Sequence, residues 1–378
     1  MITRSIAPEI GKRLNVGEKI IIVFGARQVG KTTLIKSLLA EKDAKILQVD
    51  GDRQEHVDVL SSANFSDLKS FVAGTDLLFI DEAQRIPKIG LNLKILHDQI
   101  PELKIIVTGS SALELSNRVR EPMTGRTWTY RLYPISWFEW KVFEDFNLIE
   151  RDFWLEQFLL FGSYPEILTT SVIADKQAML REMTESTLYK DILMLSNIRY
   201  PEKLRQLLQL LAYQVGQLVS LQELGSRIGL SRDAVVNYID LLEKSFVIFR
   251  LRGFSRNLRN EVTKMSKIYF YDLGIRNALI NNFSPLKVRA DIGQLWENFL
   301  IVERLKRNEY GRHYCNTYFW RLHTGTEIDY IEDSGGILSG FEFKWKGKAR
   351  QPRKWSETYA ESEFNHINKE NFERFLEP

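Results

Sequence analysis

The 378-residue chain has one cysteine, Cys315. That excludes an internal disulfide and any cysteine-rich metal site, fits a reducing compartment, and reads Cys315 as a small core residue rather than a nucleophile. Long apolar runs are missing too. None approaches the roughly 18 residues of a membrane span, and the opening MITRSIAPEI lacks the apolar core of a secretory leader. A cytoplasmic protein with no membrane partner is expected. Charge of one sign is scarce: 52 Lys and Arg against 49 Asp and Glu leave a net charge of +3, so any polyanion must be met by local clusters. There is no internal repeat and no low-complexity segment. What is present, 44% hydrophobic and 27% charged residues, is the composition of a globular protein with room for two or three domains.

The most informative stretch is Gly25 to Thr33, GARQVGKTT. Gly25, Gly30, Lys31 and Thr32 fall in the phosphate-loop spacing GxxxxGK[ST], with Ala26, Arg27, Gln28 and Val29 between the glycines. Glycines let the backbone turn tightly enough to aim N–H groups at phosphate oxygens, Lys31 brings a point charge to the β and γ phosphates, and Thr32 is placed to hold magnesium. The apolar run Ile20–Phe24 predicts a buried strand before the loop. Thr33 to Glu41 predicts a helix whose N-terminus faces the phosphates. ATP and Mg²⁺ are therefore the expected ligands.

A second strand is expected over Ala44–Val49 and a helix over Ser66–Val72 with Ser66 as its cap. Residues 1 to 19 carry no motif, and Arg4, Lys12 and Arg13 are expected on a solvated face. Leu77 to Ile80 is an apolar run that ends in Asp81 and Glu82, the pattern of a Walker B strand. There Asp81 holds the magnesium shell and Glu82 polarises the attacking water. A helix over Leu91–Ile100 and a strand over Lys104–Val107 lead into Thr108, Gly109, Ser110 and Ser111. Thr108 or Ser110 can sense the γ phosphate or simply cap the next helix. Thr127–Leu132 reads as a fifth strand.

Taken together, GARQVGKTTL, LLFIDEAQ, IVTGSSALEL, Gly125-Arg126 and RLYPISWFEW resemble the bacterial and archaeal ATPase family in which an AAA+ type module precedes a C-terminal domain of unknown function. The resemblance implies an α/β P-loop NTPase core with a parallel sheet ordered 5-1-4-3-2. It also implies an arginine near the last strand acting on the transition state, in its own subunit or from a neighbour, with Arg126 the candidate and Arg118, Arg120 and Arg131 its competitors. Gly162, Ser163, Tyr164, Pro165 and Glu166 are similar to the turn with which related signalling ATPases touch adenine, so Pro165 would pack on the base; a plain helix boundary explains them as well. Trp137, Phe138, Trp140, Phe143 and Phe146 read as helix core.

Helices over Leu204–Tyr213, Leu221–Ile228 and Ser231–Glu243, followed by a strand over Phe246–Leu251, predict a winged helix. Arg252, Arg256 and Arg259 could grip DNA phosphates while Arg232 and Asn237 face a groove, or the unit could serve only as a packing module. In the last domain, strands are expected over Ile268–Asp272, Tyr318–Leu322, Glu327–Ile331 and Gly340–Trp345, with a helix over Gln294–Arg307. Glu297, Asp329, Glu342 and Lys344 look like the PD-(D/E)xK nuclease core, in which the acids hold a metal and the lysine serves the attacking water. Strand alternation puts Glu342 and Lys344 on one side. Lys346, Lys348, Arg350, Arg353 and Lys354 form a basic run that could track a phosphate backbone. The short hairpin at Ser334–Gly336 suggests a small sheet, and the tail from Asn365 is uninformative.

The expected organisation is a P-loop ATPase core at 1–148, a helical lid at 149–200, a winged helix at 201–265 and a restriction-endonuclease-like α/β domain at 266–378. The expected function is an ATP-hydrolysing switch that acts on or beside nucleic acid. A nucleotide-gated, metal-dependent DNA nuclease and a switch that binds only a protein partner are the alternatives, and an oligomer is left open.

Overall fold

The computed structural model describes residues 2–110, 123–195, 200–255, 265–322 and 324–377, and the chain divides into two compact units. The first is mainly Met1–Ile135; the second begins at Ser136 and takes in nearly all the rest.

In the first unit five parallel strands, β1 (Ile20–Phe24), β2 (Ile46–Asp50), β3 (Leu77–Asp81), β4 (Lys104–Gly109) and β5 (Thr127–Arg131), lie in the order β2-β3-β4-β1-β5. This is the 5-1-4-3-2 order that the resemblance implies. Strands of this composition are buried because a parallel sheet is covered on both faces. Ile20, Ile22, Leu78, Ile80, Ile105 and Val107 enter one core with Leu93 and Leu96 of the Ile89–Gln99 helix. The expected elements recur with small shifts. The Phe65–Phe71 helix starts one residue early because Asn64, not Ser66, is the cap, its side chain accepting from Ser66 N.

The second unit is built on a mixed seven-stranded sheet in the order β12-β11-β10-β9-β7-β8-β6. Its strands are β6 (Leu218–Val219), β7 (Ile248–Gly253), β8 (Ser266–Phe270), β9 (Asn316–Arg321), β10 (Glu327–Ser334), β11 (Ile337–Phe343) and β12 (Glu363–Ile367). Two features depart from the sequence reading. The small separate sheet expected for the last domain is instead continuous with the preceding hairpin, because β7 pairs in parallel with β9 through Arg252–Tyr318 and Gly253–Phe319. The tail is structured: β12 joins β11 in parallel, and the following Phe372–Leu376 helix buries Phe372, Phe375 and Leu376.

Three helices, Pro201–Tyr213, Leu221–Ile228 and Arg232–Lys244, precede β7. Ser220 accepts from Glu223 N and Ser231 from Ala234 N, which caps the second and third. The Trp137–Glu144 helix, expected to end the ATPase core, belongs to the second unit. Its Trp137 is fully buried against Phe158, Phe299 and Phe372, and its backbone N–H donates to Glu303 on the Ile292–Tyr310 helix at 2.7 Å.

Candidate functional site

The phosphate loop runs from β1 into the Lys31–Ala40 helix. Gly25 has no room for a side chain, since a Cβ would lie 2.1 Å from Leu132 O, and Gly30 sits at φ 94°, in the left-handed region that glycine tolerates. Gln28 also turns left-handed, at φ 60°, so the loop doubles back before the helix begins. Ala26 and Val29 are buried beneath it, Arg27 is half-buried, and Thr33 is exposed on the helix. Lys31 is buried, and its ammonium donates to the carbonyls of Gly25 and Ala26 at 3.0 and 2.8 Å. The helix N-terminus and this ammonium both favour an anion at the loop.

Asp81, at the carboxyl end of β3, binds on both sides: Thr32 Oγ1 donates to its Oδ2 at 2.7 Å, and Thr108 Oγ1 hydrogen-bonds its Oδ1. A hydroxyl and a carboxylate brought together here are the hard oxygen donors that Mg²⁺ takes. Glu82 follows in a left-handed conformation at φ 50°. Its carboxylate is bound by the amide of Gln84, which also donates to Ser110 Oγ at 2.9 Å and accepts from Ser110 N at 3.3 Å. Thr108 thus meets Asp81, and Ser110 meets Glu82 through Gln84. Gln84 was not singled out in the sequence, although its place two residues after Glu82 could have marked it.

Arg4 corrects the expectation of a solvated face. It is 5% exposed, and its guanidinium donates to Val29 O at 2.8 Å and Tyr133 O at 2.6 Å, tying the phosphate loop to the segment after β5. Arg126 stands apart from the phosphate loop of its own chain. It lies just before β5, where its carbonyl accepts from Ile20 N, at the end of the sheet opposite the phosphate loop. Its guanidinium is held by both oxygens of Asp98, at 2.7 and 3.0 Å. With the length of β1 in between, it cannot reach a phosphate in its own loop. Arg131 donates to the Tyr133 hydroxyl at 3.0 Å and lies over the Phe24 ring. Arg118 and Arg120 lie outside the described residues, as does Ser111.

Pro165 opens the Pro165–Thr169 helix in the second unit. The turn before it packs on that unit's own backbone: Ser163 N donates to Asp272 at 2.7 Å, and a Cβ on Gly162 would collide with the Asp272 carboxylate at 2.1 Å. Burial raises the Asp272 carboxyl above its ordinary range, against the lowering effect of these backbone donors. The plain helix boundary therefore accounts for Gly162 and Ser163.

The four nuclease-like residues are gathered in the second unit. Asp329 lies where the β9–β10 register shifts, and its Oδ2 accepts from Phe343 N at 2.9 Å. Glu342 is the last residue but one of β11, and Lys344 just past the strand donates to Glu342 Oε1 at 2.6 Å, on the side the alternation predicted. The other oxygen, Glu342 Oε2, is buried without a hydrogen-bond partner. Glu297 reaches in from the Ile292–Tyr310 helix. The sequence reading missed what Glu297 meets. Lys267 of β8, 2% exposed, donates to Glu297 Oε1 at 3.0 Å and stands 3.9 Å from both Glu327 Oε1 and Asp329 Oδ1. Tyr269 donates to the same Glu297 oxygen at 2.5 Å. Burial raises the Asp329 carboxyl, reinforced by Glu297 and Glu342. Burial would lower the Lys267 ammonium, but Glu297, Asp329 and Glu327 together hold it above its usual value, so it stays charged. Among the described residues no group of three His, Cys, Asp or Glu side chains is arranged to hold a metal ion. With an ammonium between its acids, this pocket does not fit the metal that the nuclease resemblance implies.

Of the proposed DNA-gripping arginines, Arg252 and Arg232 are exposed, as is Asn237, while Arg256 and Arg259 lie outside the described residues. Lys346, Lys348, Arg350, Arg353 and Lys354 are all exposed after β11. No described helix is long and apolar enough to cross a membrane.

Comparison with known proteins agrees with this division. Residues 17–141 match the family described as an AAA domain, and residues 152–286 and 292–370 match two domains of unknown function, DUF8612 and DUF4143. An uncharacterized protein of Methanocaldococcus jannaschii is 22% identical over 93% of this chain and 81% of its own. An uncharacterized protein of Haemophilus influenzae is 25% identical over 54% of this chain and 51% of its own. Among solved structures, a Walker-type ATPase of Pyrococcus abyssi superposes with a TM-score of 0.51 at 16% identity, over 74% of this chain and 96% of that one, a likeness of fold. These findings support an AAA-type P-loop ATPase that carries a C-terminal domain of unknown function.

Proposed function

We propose that the chain binds and hydrolyses ATP with Mg²⁺ and uses the cycle as a conformational switch that acts on or beside nucleic acid. The observation that carries the first part is the contact of Thr32 and Thr108 with one carboxylate, Asp81, beside a glycine loop and a helix N-terminus. Mg²⁺ supplies charge neutralisation of the β and γ phosphates when bound, and Thr32 and Asp81 would hold it. Lys31 would leave the Gly25 and Ala26 carbonyls for phosphate oxygens. Glu82 would orient the attacking water and take its proton, and Ser110 and Gln84 would report whether the γ phosphate is present.

Action on nucleic acid is supported by the three helices and hairpin, read as a winged helix, and by the exposed Arg232, Asn237 and Arg252. The loop with Lys346, Lys348 and Arg350 supplies further exposed cations. Contacts of this kind to a phosphate backbone lose affinity as salt rises. ATP turnover and DNA mobility shift, measured over a salt series for the chain and for Lys31→Ala, test the proposal together. Turnover lost in the variant and a shift that fades with salt are the expected results. Unchanged turnover in Lys31→Ala defeats the ATPase reading. A working ATPase with no DNA shift at any salt moves the switch to a protein partner.

Glu297, Asp329, Glu342 and Lys344 are gathered as a metal-dependent nuclease would need, but the Lys267 ammonium among the acids speaks against that second reading. Incubation with supercoiled plasmid in Mg²⁺ or Mn²⁺ beside Lys344→Ala tests it; cleavage absent from both sinks it.

A further inference from the structure

We infer that the ammonium of Lys267 takes the place of a divalent cation among Glu297, Glu327 and Asp329, so that this pocket balances its charge from within and is closed to metal. The inference concerns the pocket itself and holds whether or not the chain binds nucleic acid.

The argument starts from where Lys267 is fixed. It lies on β8 between β6 and β7, opposite Leu218 on one side and Leu251 on the other. A side chain on this strand, 2% exposed and bound to Glu297 of the Ile292–Tyr310 helix, is held away from water by what packs on that face of the sheet. Its Nζ lies 3.0 Å from Glu297 Oε1 and 3.9 Å from Asp329 Oδ1, which are oxygens a bridging metal would need. Mg²⁺ would have to approach such oxygens to about 2.0–2.1 Å. A doubly charged ion would then be pressed against a buried ammonium, with little solvent to screen the repulsion.

The neighbouring acids are already matched. Glu327 also meets Arg321 at 2.8 Å, Glu342 meets Lys344 at 2.6 Å, and Tyr269 donates to Glu297. The unpartnered oxygen here, Glu342 Oε2, is a single ligand, whereas a hard cation needs several. Lys267 comes from β8, ahead of the 292–370 region that matches DUF4143, and β7–β9 pairing makes both segments parts of one sheet. The hairpin strand thus delivers the cation that a nuclease pocket would recruit from solution.

Binding of Mn²⁺ to the full chain without nucleotide, counted by electron paramagnetic resonance, tests this. The chain and its Glu342→Gln variant should bind the same number of ions, since any weak binding at the phosphate loop is common to both. Lys267→Met, which keeps the side-chain length but removes the charge, should gain one ion, and adding Glu342→Gln should remove it again. The inference is overturned if the unmodified chain binds one ion more than Glu342→Gln, or if a folded Lys267→Met gains none. Should Lys267→Met fail to fold, the comparison of the unmodified chain with Glu342→Gln decides alone.

Discussion

In the first unit, Lys31 rests on the backbone carbonyls of Gly25 and Ala26, neutral groups that a phosphate can displace. In the second, Lys267 rests among carboxylates that share its one charge and that nothing neutral can serve at equal cost. Both lysines are buried and both sit among convergent polar groups. The difference is that one site keeps its charge available for a ligand and the other has spent it. A buried cluster of acids is therefore not by itself a sign of metal chemistry; the nearest cation decides.

That contrast can be broken in four places. The largest effect is expected at Lys267. Replacing it by Met leaves three carboxylates without their shared cation, and removing one partner of a buried ion pair costs about 3–5 kcal/mol. Urea unfolding should show that loss, and a loss below about 1 kcal/mol would mean that solvent already reaches the pocket. At Lys31, Ala should instead leave stability nearly intact and reduce ATP turnover by about 100-fold or more, as when a transition-state donor is removed. Steady-state kinetics beside thermal melting separates the two outcomes.

Next comes Arg4. Its removal strips the Val29 and Tyr133 carbonyls of a charged donor, expected to cost about 1–3 kcal/mol and to raise KM for ATP by loosening the loop. Arg4→Lys, which can reach one carbonyl but not both, should lie between. The smallest effect is at Cys315. Burial pushes its thiol up to about 11, with Glu332 adding to the rise, so it stays protonated at neutral pH. Alkylation of the folded chain at pH 8 should be far slower than after denaturation, and equal rates would show the thiol to be free.

The sequence made the first site legible because its parts are local. Glycine spacing, the apolar run into Asp81 and the polar end of β4 each carry their meaning within a few residues, and the backbone brings them together as expected. Arg4 and Lys267 carry no such mark. Each is a lone basic residue in an ordinary stretch, and its role is set by partners far along the chain: Tyr133 lies 129 residues from Arg4, and Glu297 lies 30 from Lys267. Arg126 is named by its place in a motif, and its strand end lies away from its own chain's loop, which leaves action on a neighbouring subunit as the form that role can take. The Gly162-Ser163 turn was legible as a turn, but its buried partner, Asp272, was not. β12 escaped because its residues are mostly half-buried and alternate weakly.

The parallel pairing of β7 with β9 also bears on how this chain can be handled. Cutting between the regions that match the two families of unknown function would sever no bond within either, yet it would split one sheet along its middle. Each fragment would carry an exposed edge, β7 on one and β9 on the other, with unpaired N–H and C=O groups where Arg252 and Gly253 now meet Tyr318 and Phe319. The fragment starting at residue 292 would also lose Lys267, leaving the acids of its pocket without their buried cation. The regions matched by the two families and the extent of the sheet thus do not coincide here, and the intact sheet needs both regions.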